Sequence, residues 1–145
     1  MVMNQHIVSR IAIFILAIVM TIFGIQHFLH PYDFLIKVPA FLPGGKIWVY
    51  IVGIAFILTA ISFMSNKLVK VAAYLLALLL FSFVIFIHLP NYLDTADREL
   101  TRGFLTDILK DSALAAFALY IASNARHQRI LEETDVKEEV EVVGQ

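Results

Sequence analysis

The segment Phe104–Asn124, FLTDILKDSALAAFALYIASN, decides how many times this chain crosses a membrane, and with that its fold. Its second half is apolar and rich in alanine, but Asp107, Lys110 and Asp111 stand in the first half. The three apolar stretches before it raise no such difficulty. Ile11–Tyr32, Ile47–Asn66 and Val71–Leu93 contain no Asp, Glu, Lys or Arg. Each holds the ~20 predominantly apolar residues that a crossing helix needs at ~1.5 Å rise apiece. Ser112–Ala125 alone is too short, so a fourth span must take its charges into the membrane or to its edge. Ionisable groups cost roughly 2.5–3.5 kcal/mol each at a helix centre, and they usually pair or mark a site. The reading is all-α: a four-helix transmembrane bundle with helices at about 8–30, 47–64, 68–89 and 104–124.

Composition agrees. Hydrophobic residues make up 60% of the 145, charged residues 16%, and mean hydropathy is +0.82. Soluble domains are nearer 45–50% apolar and about 25% charged. A net charge of −1 offers no basic surface for nucleic acid. The chain has no cysteine, which excludes disulfides, thiolate metal sites and CxxC redox relays. P-loop, GxGxxG, HExxH and GxSxG motifs are absent. The first apolar stretch ends Gly24-Ile-Gln-His27-Phe-Leu-His30 with no small-x-small cleavage pattern, so it reads as an anchored helix.

Pro31 disfavours helix in the residue before it and should end helix one. Ala17, Thr21 and Gly24 form a stripe of small side chains on which a second helix can pack closely. The loop Pro31–Lys46 combines Pro31, Pro39, Pro43 and Gly44-Gly45 with apolar Phe34, Leu35, Ile36, Val38, Phe41 and Leu42. Such a loop is expected to lie on the membrane surface or fold back over the bundle. Helix three should stop at Pro90, leaving 91–103 as a polar loop. Residues 1–129 form one domain, and 130–145 read as an acidic, disordered tail. Arg10, Lys67, Lys70, Arg126 and Arg129 fall on one side of a four-span chain, opposite Lys37, Lys46, Arg98 and Arg102. That bias places both termini in the cytoplasm of a multi-pass plasma-membrane protein.

The topology brings His27, His88, Asp107, Lys110 and Asp111 to one leaflet, with Trp48 and Tyr50 at the same level. Asp107 and Asp111 are four apart, so they share a helix face and repel. Lys110 neutralises Asp107, and Asp111 then needs a histidine from helix one or three, a proton or a cation. His88, Asp111 and His27 are the candidate catalytic residues; Lys110, Asp107, Trp48 and Tyr50 are candidate ligand contacts. The bland alternative is a helix start where an acid suits the dipole, with histidines that merely bond neighbours. Haem between His27 and His88 is a lesser option, since nothing in the spacing calls for it. No metal site is assigned.

Gly24-Ile-Gln-His27-Phe28 with Pro31, Val38-Pro-Ala-Phe-Leu-Pro43, Gly53, His88-Leu-Pro90 and Leu109-Lys110-Asp111-Ser-Ala-Leu-Ala115 together resemble the DoxX-like family of small four-helix membrane proteins. The resemblance covers about Arg10 to Ser123 and implies architecture more than activity; its naming member belongs to a thiosulfate:quinone oxidoreductase. From the residues and this resemblance, the expected function is a membrane redox component in which a quinone enters between helices and His88 or His27 with Asp111 handles its protons. The alternatives are a non-catalytic adaptor holding a protein partner through the acidic tail or first loop, and a carrier of lipid or small solute. Its surroundings are the lipid bilayer, as a monomer or an oligomer.

Overall fold

The computed structural model describes residues 2–39 and 42–143, with side chains described over 7–39 and 42–125. Among the described residues all regular structure is helical. α1 spans Val2–Leu29, α2 is the short Pro31–Leu35, α3 spans Lys46–Ser65 and α4 spans Val69–Phe83. α4 passes through a π-helical turn, Val84–His88, into α5, Leu89–Asp94, and α6 runs from Arg98 to Val143. Three stretches are long and apolar enough to cross a membrane: Ile7–Leu29, Lys46–Ser65 and Val69–Asp94. Their outer faces carry exposed Ile22, Ile54, Leu58, Leu75 and Leu78. A surface that apolar is suited to lipid rather than water.

α1 lies along α3 and α4 along α6, and a shorter α3–α4 contact joins the two pairs. Buried Ala17 and Met20 of α1, Phe56 of α3, Leu76 of α4, and Ala115 and Ala118 of α6 belong to one core. The small stripe on α1 is used where Gly24 meets Gly53. A Cβ on Gly24 would fall 2.6 Å from Ile57 Cγ1 and 3.0 Å from the Gly53 carbonyl oxygen. One on Gly53 would fall 3.0 Å from the Cβ of His27. Two backbones this close need glycine on both sides, and the crossing fixes His27 one turn further along α1. Between α3 and α4, Asn66 and Leu68 take left-handed conformations (φ 55° and 56°), and the Lys67 N–H bonds the Ser62 carbonyl at 3.2 Å.

The third apolar stretch does not stop at Pro90. Leu89 N–H bonds the carbonyl of Val84, five residues back, so the turn holds one extra residue. Pro90 then falls in the first turn of α5, where a missing N–H is tolerated. Asn91 Nδ2 also donates to the Ile87 carbonyl at 2.7 Å. The extra residue matters for function. At ~100° per residue, an unbroken α-helix would leave position 88 about 80° from the Leu80 stripe. The π turn gives His88 the azimuth of a residue 87, about 20° from it. His88 is buried accordingly.

The polar loop expected over 91–103 is mostly helix, because α6 starts at Arg98. Asp97 Oδ1 accepts from the N–H groups of Glu99 (2.8 Å) and Leu100 (3.0 Å), a side-chain N-cap. The backbone of α6 continues through the acidic segment to Val143. The side chains of that segment lie outside those described. Helix one likewise begins earlier than expected, at Val2.

Candidate functional site

A cavity of about 250 Å³ opens near one end of the bundle, lined from all four long helices and the α2–α3 loop. Its walls are mostly apolar, including Phe23, Val52, Phe56, Leu80 and Phe83, and its polar groups are His27, Lys37, His88, Asp107, Lys110 and Asp111. Ligand pockets commonly pair apolar walls with a few convergent polar groups. Trp48 and Ile51 line it and are also exposed, at 39% and 46%, so the cavity communicates with the surface.

Asp111 shares its helix face with Ala115, Ala118 and Ala122, and this buried stripe turns it into the bundle. Its Oδ2 stands 3.0 Å from His88 Nε2. Ionised Asp111 can only accept, so Nε2 carries the proton and donates. His88 Nδ1 has no hydrogen-bond partner although it is buried, and it lies 3.9 Å from Asp107 Oδ2. Asp107 is held from two sides, by Lys37 Nζ at 2.7 Å on Oδ2 and Lys110 Nζ at 2.9 Å on Oδ1. Lys110 also stands 3.6 Å from Asp111 Oδ1 and 5.1 Å from the Phe23 ring centroid. Two ammonium groups thus balance two carboxylates, and a neutral His88 leaves the cluster without net charge. A buried charge is tolerated when it is paired and hydrogen-bonded in this way.

His27 is built separately. Its Nδ1 is 2.7 Å from the Phe23 carbonyl, which can only accept, so Nδ1 is the donor and Nε2 remains an acceptor. The ring stacks on Phe34 (centroids 4.0 Å apart) and meets the Phe56 ring edge-on at 5.4 Å. His27 therefore lines the cavity but lies outside the ion-paired cluster. Among the described residues no three His, Asp or Glu side chains converge as a metal site.

The candidate residues mostly meet where the topology requires. Lys110 pairs Asp107, and the histidine beside Asp111 is His88. Trp48 lines the cavity and ties α3 to the loop, its Nε1 donating to the Pro43 carbonyl at 2.9 Å. Tyr50 is not among the residues lining the cavity. It stacks on Phe28 at 5.7 Å, with Lys46 Nζ 5.8 Å from its ring, because α3 turns it away from Trp48. Lys37 was missed. A lone cation in a loop otherwise so apolar was the signal that an acid lay across from it.

These features define a helical protein whose apolar exterior surrounds a cavity with an ion-paired polar end. Residues 16–104 match the family model described as a domain of unknown function, DUF8561, and the chain belongs to that family. No curated protein and no solved structure matches it. The resemblance to DoxX-like proteins is thereby corrected, because the family shown is a different one. The motifs behind it have local explanations: Gly24 and Gly53 serve a helix crossing, and Pro90 follows a π turn. The matched span includes His27, Lys37 and His88 and ends before Asp107, Lys110 and Asp111.

Proposed function

We propose that this protein is a four-span integral membrane protein of the plasma membrane that binds a lipophilic molecule with an oxygen-bearing head, of the quinone class. On this reading residues 104–124 of α6 form the fourth span. Exposed Leu105, Leu109, Leu119 and Tyr120 face lipid, while Asp111, Ala115 and Ala118 face the bundle. Both termini then lie in the cytoplasm. The observation that carries the function is the apolar cavity ending on the Lys37–Asp107–Lys110–Asp111–His88 cluster. A quinone carbonyl needs a hydrogen-bond donor, which the lysine ammonium groups supply, and its reduction consumes protons, which the His88–Asp111 pair delivers. Reduction also needs electrons, and on this reading the redox centre of a partner protein supplies them. The apolar body of the ligand fits walls of Phe, Leu and Val, and the bilayer concentrates such molecules beside the opening.

The test is to purify the protein in native lipid discs and identify bound lipophiles by mass spectrometry, wild type beside Asp111→Asn. A stoichiometric quinone-class molecule, depleted in the variant, is the expected result. Bulk lipid alone in both samples would sink the proposal.

A second reading, docking of a protein partner, draws on the length of α6. Its 46 residues extend about 69 Å, more than twice the ~30 Å hydrocarbon core. Deleting the residues after Arg129 should then abolish capture of the partner, and unchanged capture would count against it.

A further inference from the structure

We infer that Asp107 exchanges protons with Asp111 through His88, so that the three side chains form one proton route from the more exposed carboxylate to the buried one. The inference rests on reading Asp111 as a proton-handling group. It starts from an atom that the cluster leaves without a function. His88 Nδ1 is buried and has no hydrogen-bond partner. Most buried polar atoms are satisfied, and an exception calls for an explanation. A carboxylate oxygen, Asp107 Oδ2, stands 3.9 Å from it. The other nitrogen of the same ring already bonds the second carboxylate at 3.0 Å. The ring therefore stands between two acids with one nitrogen toward each. Closing the gap at Nδ1 to a normal hydrogen bond takes a shift of about 1 Å.

The two acids differ in access. The Asp107 side chain is 18% exposed and that of Asp111 6%, and Asp107 lies one turn nearer the start of α6. A proton arriving on Asp107 moves from its Oδ2 to Nδ1, and the Nε2 proton moves to Oδ2 of Asp111. One O–H bond breaks and one N–H bond forms at the outer end; one N–H breaks and one O–H forms at the inner end. Asp107 returns to carboxylate, Asp111 becomes the acid, and the imidazole stays neutral with its proton on the other nitrogen. The reverse transfer, from Asp111 Oδ2 to Nε2 and from Nδ1 to Asp107 Oδ2, restores the starting tautomer.

Lys110 also bridges the acids, at 2.9 Å from Asp107 and 3.6 Å from Asp111, but an ammonium has no lone pair with which to accept. It can hold both carboxylates in place and cannot relay between them, whereas neutral imidazole accepts on one nitrogen and donates from the other. Lys37 and Lys110 are the charged groups facing Asp107. His27, the other titratable ring on the cavity, is occupied by the Phe23 carbonyl through its Nδ1.

The route is read by a pH jump on protein in lipid discs, following the C=O stretch of protonated Asp111 in the infrared. The band is identified by its absence in Asp111→Asn. In wild type it should appear promptly. Asp107→Asn and His88→Gln should slow it roughly 100-fold, the lower end of what a positioned proton-transfer group contributes, with the equilibrium amplitude in Asp107→Asn retained. A residue that only shapes the site would change amplitude and leave the rate. The inference is overturned if Asp107→Asn responds as fast as wild type, if Lys110→Met rather than His88→Gln produces the slowing, or if no Asp111 band appears at any pH. The measurement needs no ligand. Its failure would leave quinone binding standing, and discs empty of quinone would leave the route measurable.

Discussion

His88 on the π-helical turn and Asp111 on α6 are joined by a hydrogen bond of 3.0 Å between side chains that are almost wholly buried. The bond satisfies Asp111 at its Oδ2, and Lys110 Nζ stands 3.6 Å from its Oδ1. Replacing His88 by Leu removes the donor and leaves a buried carboxylate under-satisfied. Breaking a buried pair this way costs about 3–5 kcal/mol, and Lys110 should hold the loss near the lower figure. Asp111→Asn keeps an acceptor for Nε2 and should cost about 1 kcal/mol or less. Reversible unfolding in mixed micelles checks the order. Equal losses for the two variants would show that the hydrogen bond is not what stabilises this end of the bundle.

The second prediction concerns the turn that presents His88. Deleting Ile85, which is exposed, should remove the extra residue and restore plain α-helical register. Everything on one side of the deletion then rotates by about 100° relative to the other, and His88 can no longer meet Asp111 while Leu80 stays in the core. Nitrogen-15 spectra of labelled histidine should lose the hydrogen-bonded Nε2–H signal of His88. Retention of that signal would mean the turn is not what aims the ring.

How much of this was legible in the sequence varies with the kind of signal. The three uncharged stretches gave the crossing helices directly, because hydropathy reports what a bilayer requires. Asp107, Lys110 and Asp111 were visible as charges in the wrong place, and topology alone brought the histidines to their level. The π turn was not legible. Pro90 reads as a stop, and only the carbonyl of Val84 accepting from Leu89 shows how the helix continues past it. Asp97 followed by Glu99 was a readable helix start, overlooked because its surroundings are polar. Lys37 was hidden by its apolar neighbours, and its partner lies 70 residues away, beyond any local pattern. The family could not be read from short motifs whose residues serve packing.

A third prediction tests the crossing of α1 and α3. Gly24→Ala places a methyl 2.6 Å from Ile57 Cγ1 and 3.0 Å from the Gly53 carbonyl oxygen. Ile57 is β-branched and stiff at χ1, and the carbonyl is backbone, so the helices must separate. A loss of about 1–3 kcal/mol is expected, typical of overpacking. Gly103→Ala is the matched control, because a Cβ there meets nothing within 4 Å. If Gly24→Ala is as stable as Gly103→Ala, the helices do not approach as closely as described.

The fourth prediction separates four spans from three, and the cysteine-free chain makes it clean. Single cysteines at Lys67 and Ala96, both exposed, sit at opposite ends of the third crossing stretch. With the termini in the cytoplasm, a membrane-impermeant maleimide added to intact cells should label Ala96→Cys and leave Lys67→Cys unlabelled until the cells are opened. A tag on the C-terminus then decides the role of α6. If residues 104–124 cross, the tag is shielded like Lys67→Cys, and Asp111 lies within the membrane beside His88. If the tag is reached from outside together with Ala96→Cys, α6 does not cross. Asp107, Lys110 and Asp111 would then be charges at an aqueous surface, and the case for a membrane-embedded site would fall with the fourth span.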